Sequence, residues 1–383
     1  MATTKFPQRK KKKINRLAGQ VSLTKVDVDP ACVGAYEDAS NADKGLLYLP
    51  VELHGEVLCN YLNIVPFTKV PHDGPVLPEE YLERTDVLRA LSQVCVAYRR
   101  QFLPILWETL NVCCEAREES GANPASFFKH IGEALGRKCD GFSISPDLRA
   151  YVKVVNVVLT RYRSAIVIPK FPVLLQSLPN LHILHLLHTH TQMMTALEAA
   201  FEGVVIPTIR TLIIQGYCHD ILKCCPNVTT VWCIRDDGRK LLPVIETHCK
   251  FVEELRGFSG DDRIIKKIVK AAPNLRVFDM WYRNYKAVLK HLPSFKKMNT
   301  IVIKTFTTIG QYPDEMELLQ ECIKQTRLNF KALPETREKK HIHVVYDDTG
   351  HGNTIYSTTH RHTVQYVDAD RILAWRRDPI LGL

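Results

Sequence analysis

The side chains best equipped for chemistry in this chain are its histidines, cysteines and paired carboxylates. His182, His185, His188 and His190 lie close together, as do His341, His343, His351, His360 and His362. Zinc needs ligands that converge from fixed spacings, usually with cysteine pairs or a His–Glu partner. His182 and His185 sit an odd number of residues apart on a strand-like run, so they face opposite sides. His188 and His190 share a face but have no cysteine or carboxylate beside them. Neither a metal nor any other cofactor is expected. The 12 cysteines contain no CxxC pair. They sit in apolar runs such as Val112-Cys113-Cys114 and Trp232-Cys233, and Cys224-Cys225 reads as a second pair of core thiols. Asp236-Asp237, Asp261-Asp262 and Asp347-Asp348 adjoin Gly or Arg in turn-like sequence and read as solvated turns. The sequence has no P-loop, no GxGxxG, no GxSxG and no HExxH. These absences point away from an enzyme.

Bulk properties narrow the class further. The chain has 383 residues, 45% of them hydrophobic and 24% charged, an ordinary balance for a globular protein. Its net charge is +10. Residues 1–16 hold seven of the basic side chains and no acid, so the remainder carries 44 basic against 41 acidic groups. A near-neutral body makes nucleic acid an unexpected partner. Within the tail, Arg9, Lys10, Lys11, Lys12 and Lys13 form a run like a nuclear localisation signal. A solvated basic arm explains the same residues. No apolar run follows the basic N-terminus, and none reaches the ~20 residues a membrane helix needs. An intracellular location, cytoplasmic or nuclear, with reduced thiols is expected.

The elements that must position these side chains divide the chain. Residues 1–45 are polar and lack periodicity, as a disordered basic tail would. Residues 50–62 predict a helix with Pro50 at its first position, Glu52 in the first turn and Leu53, Val57, Leu58, Tyr61 and Leu62 on one face. Residues 63–84 carry four prolines and a glycine and predict a loop. A second helix is expected from Asp86, with a stripe of Val87, Leu88, Leu91, Val94, Cys95 and Tyr98, and a third from Pro104 with Leu106, Trp107 and Leu110. The interval 111–177 reads as a helical linker.

From residue 178 to 330 an apolar-x-x-apolar-x-apolar pattern recurs, starting at Leu181, Ile209, Val228, Val252, Leu275 and Met298. Starts about 19 to 28 residues apart fit leucine-rich repeats, one strand and one return segment per unit. Asn180, Asn227 and Asn274 precede the strands, where the usual repeat carries its asparagine after them. The repeat is therefore degenerate, and an ordinary α/β domain of alternating strands and helices is the other reading. Residues 341–346 and 363–367 alternate like strands, so 331–383 reads as a C-terminal strand/helix cap.

Residues 46–110 resemble an F-box, the helical module that docks on a Skp-family adaptor of a cullin ubiquitin ligase. The resemblance lies in Leu49-Pro50, Leu53, Leu58 and Leu62, then Leu91, Val94 and Cys95, with Phe102 and Trp107 beyond. Two features depart from the family: the long loop of 63–84, and Val96 where a basic or small polar residue is usual. The arrangement is similar to that of large fungal F-box families. It implies an α/β fold class with a three-helix F-box-like module followed by an irregular leucine-rich-repeat solenoid. It also implies a non-catalytic substrate-recognition subunit, with those ten residues binding the adaptor and, through it, a cullin. The repeats would hold an unidentified target protein. Trp232, Arg235, Trp281, Tyr282 and Arg283, at or just after strand motifs, are the candidate target contacts, since aromatic and Arg side chains anchor interfaces. A nuclear nucleic-acid-associated protein, or a free-standing repeat protein that binds other proteins, is the alternative.

Overall fold

The computed structural model describes residues 51–64, 80–114, 124–306, 311–333, 340–347 and 363–368. Three helices come first: α1 (Val51–Leu58), α2 (Glu80–Leu91) and α3 (Val96–Glu108). Strands and helices then alternate. They run β1 (Thr109–Val112), α4 (Pro124–Ile144), α5 (Pro146–Arg149), β2 (Val154–Leu159), α6 (Ser164–Gln176), β3 (Ile183–Thr189) and α7 (Met194–Phe201). Next are β4 (Thr211–Ile214), α8 (His219–Lys223), β5 (Thr230–Cys233), α9 (Leu242–His248), β6 (Glu254–Arg256) and α10 (Asp262–Ala271). The last are β7 (Val277–Trp281), α11 (Tyr285–His291), β8 (Thr300–Phe306), α12 (Pro313–Ala332), β9 (His341–Asp347) and β10 (Thr363–Asp368).

All ten strands form one sheet whose order follows the chain, β1 to β10. The first nine are parallel, and β10 pairs antiparallel with β9. This corrects the fold class expected from the sequence. The sheet begins at Thr109, inside the segment assigned to the F-box-like module, and takes in the interval read as a linker. The protein is an α/β fold with helices interleaved along a continuous parallel sheet, not a three-helix module followed by a separate leucine-rich-repeat solenoid. The reason is visible in Val154–Leu159. Five of its six residues are buried, so it is an unbroken apolar run. Periodicity cannot separate such a run from a buried helix.

The apolar positions of the recurring pattern set the core. Leu184, Leu186, Leu212, Ile214, Val231, Leu255, Phe278, Met280, Ile301 and Ile303 project from one face of the sheet into a single buried cluster. The helices close over that face. In α10, Ile264, Ile265, Ile268 and Ala271 are buried while Lys266, Lys267 and Lys270 look outward. Alpha-helix α12 buries Leu319, Cys322, Thr326 and Phe330 at steps of three and four.

Two sets of polar side chains tie neighbouring strands together at their ends. Before the strands, Asn180 Nδ2 donates to the Ala150 carbonyl (2.6 Å), Asn227 to Pro207 (3.0 Å) and Asn274 to Lys250 (3.1 Å). After β4, Gln215 Oε1 accepts from Thr189 N–H (2.9 Å), and within β7 Asp279 Oδ1 accepts from Gly257 N–H, just past β6 (2.7 Å). Asp236 accepts from Gly216 N–H and, at 2.8 Å, from Gly238 N–H. Each bond satisfies a backbone group that the short strands leave over. The asparagines preceding β3, β5 and β7 thus have a structural use that their displaced position concealed.

Candidate interaction surfaces

The N-terminal helices enclose a small core of their own. Leu58, Leu88 and Phe102 are buried together, with Leu91, Tyr98, Ile105 and Leu106 packed against them. Phe102 takes the edges of His54 (5.5 Å) and Tyr98 (5.6 Å). The stripe expected to run through one helix from Val87 to Tyr98 is broken. The chain turns at Ser92–Cys95, and Cys95 caps α3 by accepting from Tyr98 N–H at 3.5 Å. The expected third helix has no separate start, and Pro104 lies inside α3.

The break sorts the ten expected adaptor contacts. Leu58 and Phe102 hold the helices together, Leu62 and Leu91 are half-buried, and Trp107 packs against the main core. Leu53 and Val94 are 46% and 64% exposed, and Cys95 is exposed. Two residues outside that set join them: Val57 at 49% and Val96 at 66%. Leu49 and Pro50 lie outside the described residues, as does the run Arg9, Lys10, Lys11, Lys12 and Lys13.

The sheet carries a second face, away from the helices. There Ile183, Ile213 and Trp232 form a separate buried cluster with Val154 and Ile234. Arg256, paired with Trp232 in the ladder, lies over the indole at 4.7 Å and pairs with Glu254. The five residues read as target contacts divide. Trp232 and Tyr282 are buried, whereas Arg235, Arg283 and Trp281 are exposed, Trp281 at 36%. Arg283 pairs with Glu315 at 2.6 Å and donates to the Tyr282 hydroxyl at 3.0 Å, which fastens the end of β7 to α12. Arg235, in the left-handed region at φ 66°, donates to His188 Nδ1 at 2.8 Å.

His188 was a missed partner in that group. A register shift between Val157 and Val158 pairs Val158 with His188 and passes over Leu187. Leu186 and Leu187 are then both in the core. Strict alternation places His188 on the core side; the bulge brings it instead beside Arg235 and Phe128, whose ring is 6.0 Å away. Burial, then the charge of Arg235 and of His190, holds the His188 pKa down to about 4. Among the described residues no three metal-ligating side chains converge.

His185 is buried on the sheet with its Nδ1 unpartnered, and burial pushes its pKa down to about 3. In the unfolded chain its imidazole protonates as pH falls through 6.5. The unfolded state therefore binds more protons between about 6.5 and 3, and stability drops as pH is lowered through that window. The slope from this one group approaches about 1.4 kcal/mol per pH unit. Urea unfolding at pH 7 and pH 5 should show a smaller loss for His185→Leu than for the unmodified chain; equal losses refute the assignment.

The cysteine environments match core packing. Burial raises the thiol pKa of Cys139 and Cys224 to about 11, and of Cys218, Cys249 and Cys322 to about 12. Those thiols stay protonated at neutral pH and are poor nucleophiles. Among the described residues, no helix is long and apolar enough to cross a membrane.

No protein-family model matches the chain, and no curated protein matches it. Among solved structures, a protein from Bacteroides fragilis aligns at 12% identity with a TM-score of 0.37, covering 64% of this chain and 67% of that one.

Proposed function

We propose that this chain is a non-catalytic recruiting subunit, with its N-terminal helices docking on a Skp-family adaptor and its sheet region holding a target protein. The observation that carries the reading is the exposure of Leu53 and Val57 on α1, Val94 in the turn before α3 and Val96 at the start of α3, where the helices' own core is already closed. Four branched aliphatic side chains left in water on so small a helical group favour a partner that covers them. Leu53 and Val94 are also among the residues that carry the F-box resemblance. Acidic side chains here would cost docking without disturbing Leu58, Leu88 or Phe102. The role is recruitment: the subunit raises the effective concentration of a target beside an enzyme held elsewhere in the assembly.

Co-expression of the full chain with a Skp-family adaptor tests this directly. Stable co-elution is expected, and Leu53→Asp/Val94→Asp should abolish it while leaving the circular dichroism spectrum and melting temperature near the parental values. A soluble, folded chain that never co-elutes with the adaptor removes the proposal.

A further inference from the structure

Beyond the basic tail the chain is nearly neutral in total, but its charge is unevenly placed. Residues 239–304, from just before α9 into β8, hold 15 basic and 6 acidic side chains; the rest of the chain beyond residue 16 holds 29 and 35. Two of those cations, Arg256 and Lys304, belong to the sheet and pair there with Glu254 and Asp279. The excess lies on the helices. Helices α10 and α11 and the turn after α11 carry seven lysines and one arginine against the single carboxylate of Asp262, with Asp261 just ahead of α10. Distances show that these elements share one outer surface. Lys270 of α10 pairs with Glu246 of α9 at 2.6 Å, and Lys290 of α11 pairs with Asp262 of α10 at 3.0 Å. Asp262 also takes Lys266 at 3.0 Å and His291 at 2.8 Å, so one carboxylate serves two lysines and a histidine. Arg263, Lys267, Lys286 and Lys296 are exposed among them, and among the described residues no carboxylate pairs with these four.

The make-up of the surface narrows its partner. Between residues 239 and 304 the exposed large apolar side chains are Phe251 and Trp281, and neither lies on α10 or α11. A helix that lies in a membrane surface needs apolar side chains beside its basic ones. Protein interfaces are depleted in lysine and anchored by Trp, Tyr or Arg. Single-stranded nucleic acid is held largely by stacking on aromatic rings. Lysines without aromatic neighbours instead match the phosphates of a duplex, which they meet as mobile point charges on long stems. The 10 residues of α10 span about 15 Å, and a duplex presents roughly nine phosphate charges over that length. We propose that the outer surface of α10 and α11 binds the phosphate backbone of double-stranded nucleic acid without reading its sequence. The near-neutral total that made such a partner unexpected is the sum of this basic surface and an acidic remainder. The surface shares no residue with Leu53, Val57, Val94 or Val96, so its failure leaves the adaptor reading untouched.

Fluorescence anisotropy tests this, with the full chain titrated into a labelled DNA duplex of about 20 base pairs at NaCl concentrations between about 50 and 200 mM. Binding is expected to survive scrambling of the duplex sequence and to weaken steeply with salt. Lys267→Gln/Lys286→Gln/Lys296→Gln should weaken it at least tenfold and flatten the salt dependence. The melting temperature should stay near the parental value, because the three side chains are exposed and unpaired. Should the triple variant fail to fold, Lys267→Gln alone should shift affinity several-fold in the same direction. The basic tail is separated by Lys10→Gln/Lys11→Gln/Lys12→Gln/Lys13→Gln, in which binding that still depends on Lys267, Lys286 and Lys296 supports the surface. Full affinity and an unchanged salt slope in the helix variant overturn the proposal. So does a chain that binds polyglutamate or phosphatidylserine vesicles but not the duplex.

Discussion

Replacing Gly257 by alanine is expected to cost about 3–5 kcal/mol, at the upper end of single-residue effects. Two terms combine. Gly257 lies at the end of β6 with φ at +73°, where an alanine loses about 1–2 kcal/mol to its own backbone. An added Cβ would also sit 1.9 Å from the Cys233 carbonyl oxygen at the end of β5. That atom is backbone, so relief requires the two strands to separate just where each is only three or four residues long. Gly203 isolates the first term, since its φ is +70° but nothing lies within 4 Å of an added Cβ. Gly203→Ala should therefore cost only about 1–2 kcal/mol. Guanidinium unfolding of the two variants separates strain from close approach. Equal losses show that the approach to Cys233 does not matter.

Asp279→Ala should cost a further large amount, about 3–5 kcal/mol, because it breaks a buried charged pair from one side. Asp279 is only 2% exposed and uses both oxygens. One accepts from Gly257 N–H at 2.7 Å, and the other pairs with Lys304 on β8. Alanine leaves the Lys304 ammonium, itself three-quarters covered, without its counter-charge and orphans the Gly257 amide. Asp279→Asn keeps an acceptor for Gly257 and should lose less. Pairing Asp279→Ala with Lys304→Met should recover part of the loss, since removing both charges avoids the buried, unpaired one. A double variant no more stable than the single shows the pair is not the source. Because Asp279 bonds to Gly257, its substitution and Gly257→Ala should not add independently.

These two sites also show where sequence reasoning ran short. The apolar-x-x-apolar-x-apolar pattern located β3 to β8 because it recurs at the spacing of one strand and one return segment, even where, as in β3, nearly every residue is buried. The helix at 264–270 was equally legible, its isoleucines and lysines dividing at helical steps. Val154–Leu159 was not, since a strand buried on both faces has no alternation to read. The break at Cys95 was hidden as well: Leu91, Val94, Cys95 and Tyr98 keep helical spacing across the turn, and only the cap at Tyr98 N–H reveals it. At the candidate surfaces, Leu53 and Val94 could be named in advance. Val57 was placed on the same apolar face as Leu53 but not among the adaptor contacts, and Val96 was noted only as a departure from the F-box pattern. Trp281 was separable from Trp232 only by burial, because both stand in the last two positions of a strand.

The amino-acid sequence by itself determined the local grammar: where most strands and return helices fall, that helices precede Thr109, and which side chains are apolar enough to dock. The tertiary structure decided how those pieces join. Pairing of β1 with β2 draws the linker into one α/β sheet, and the bulge at Val157/Val158 turns His188 toward Arg235. It also set which carboxylates go to neighbouring strands. The physical reason is range. Periodicity and capping act over a few residues and are written in order along the chain, whereas register, close approach and charge balance depend on partners about 20 to 50 residues apart, which only packing brings together.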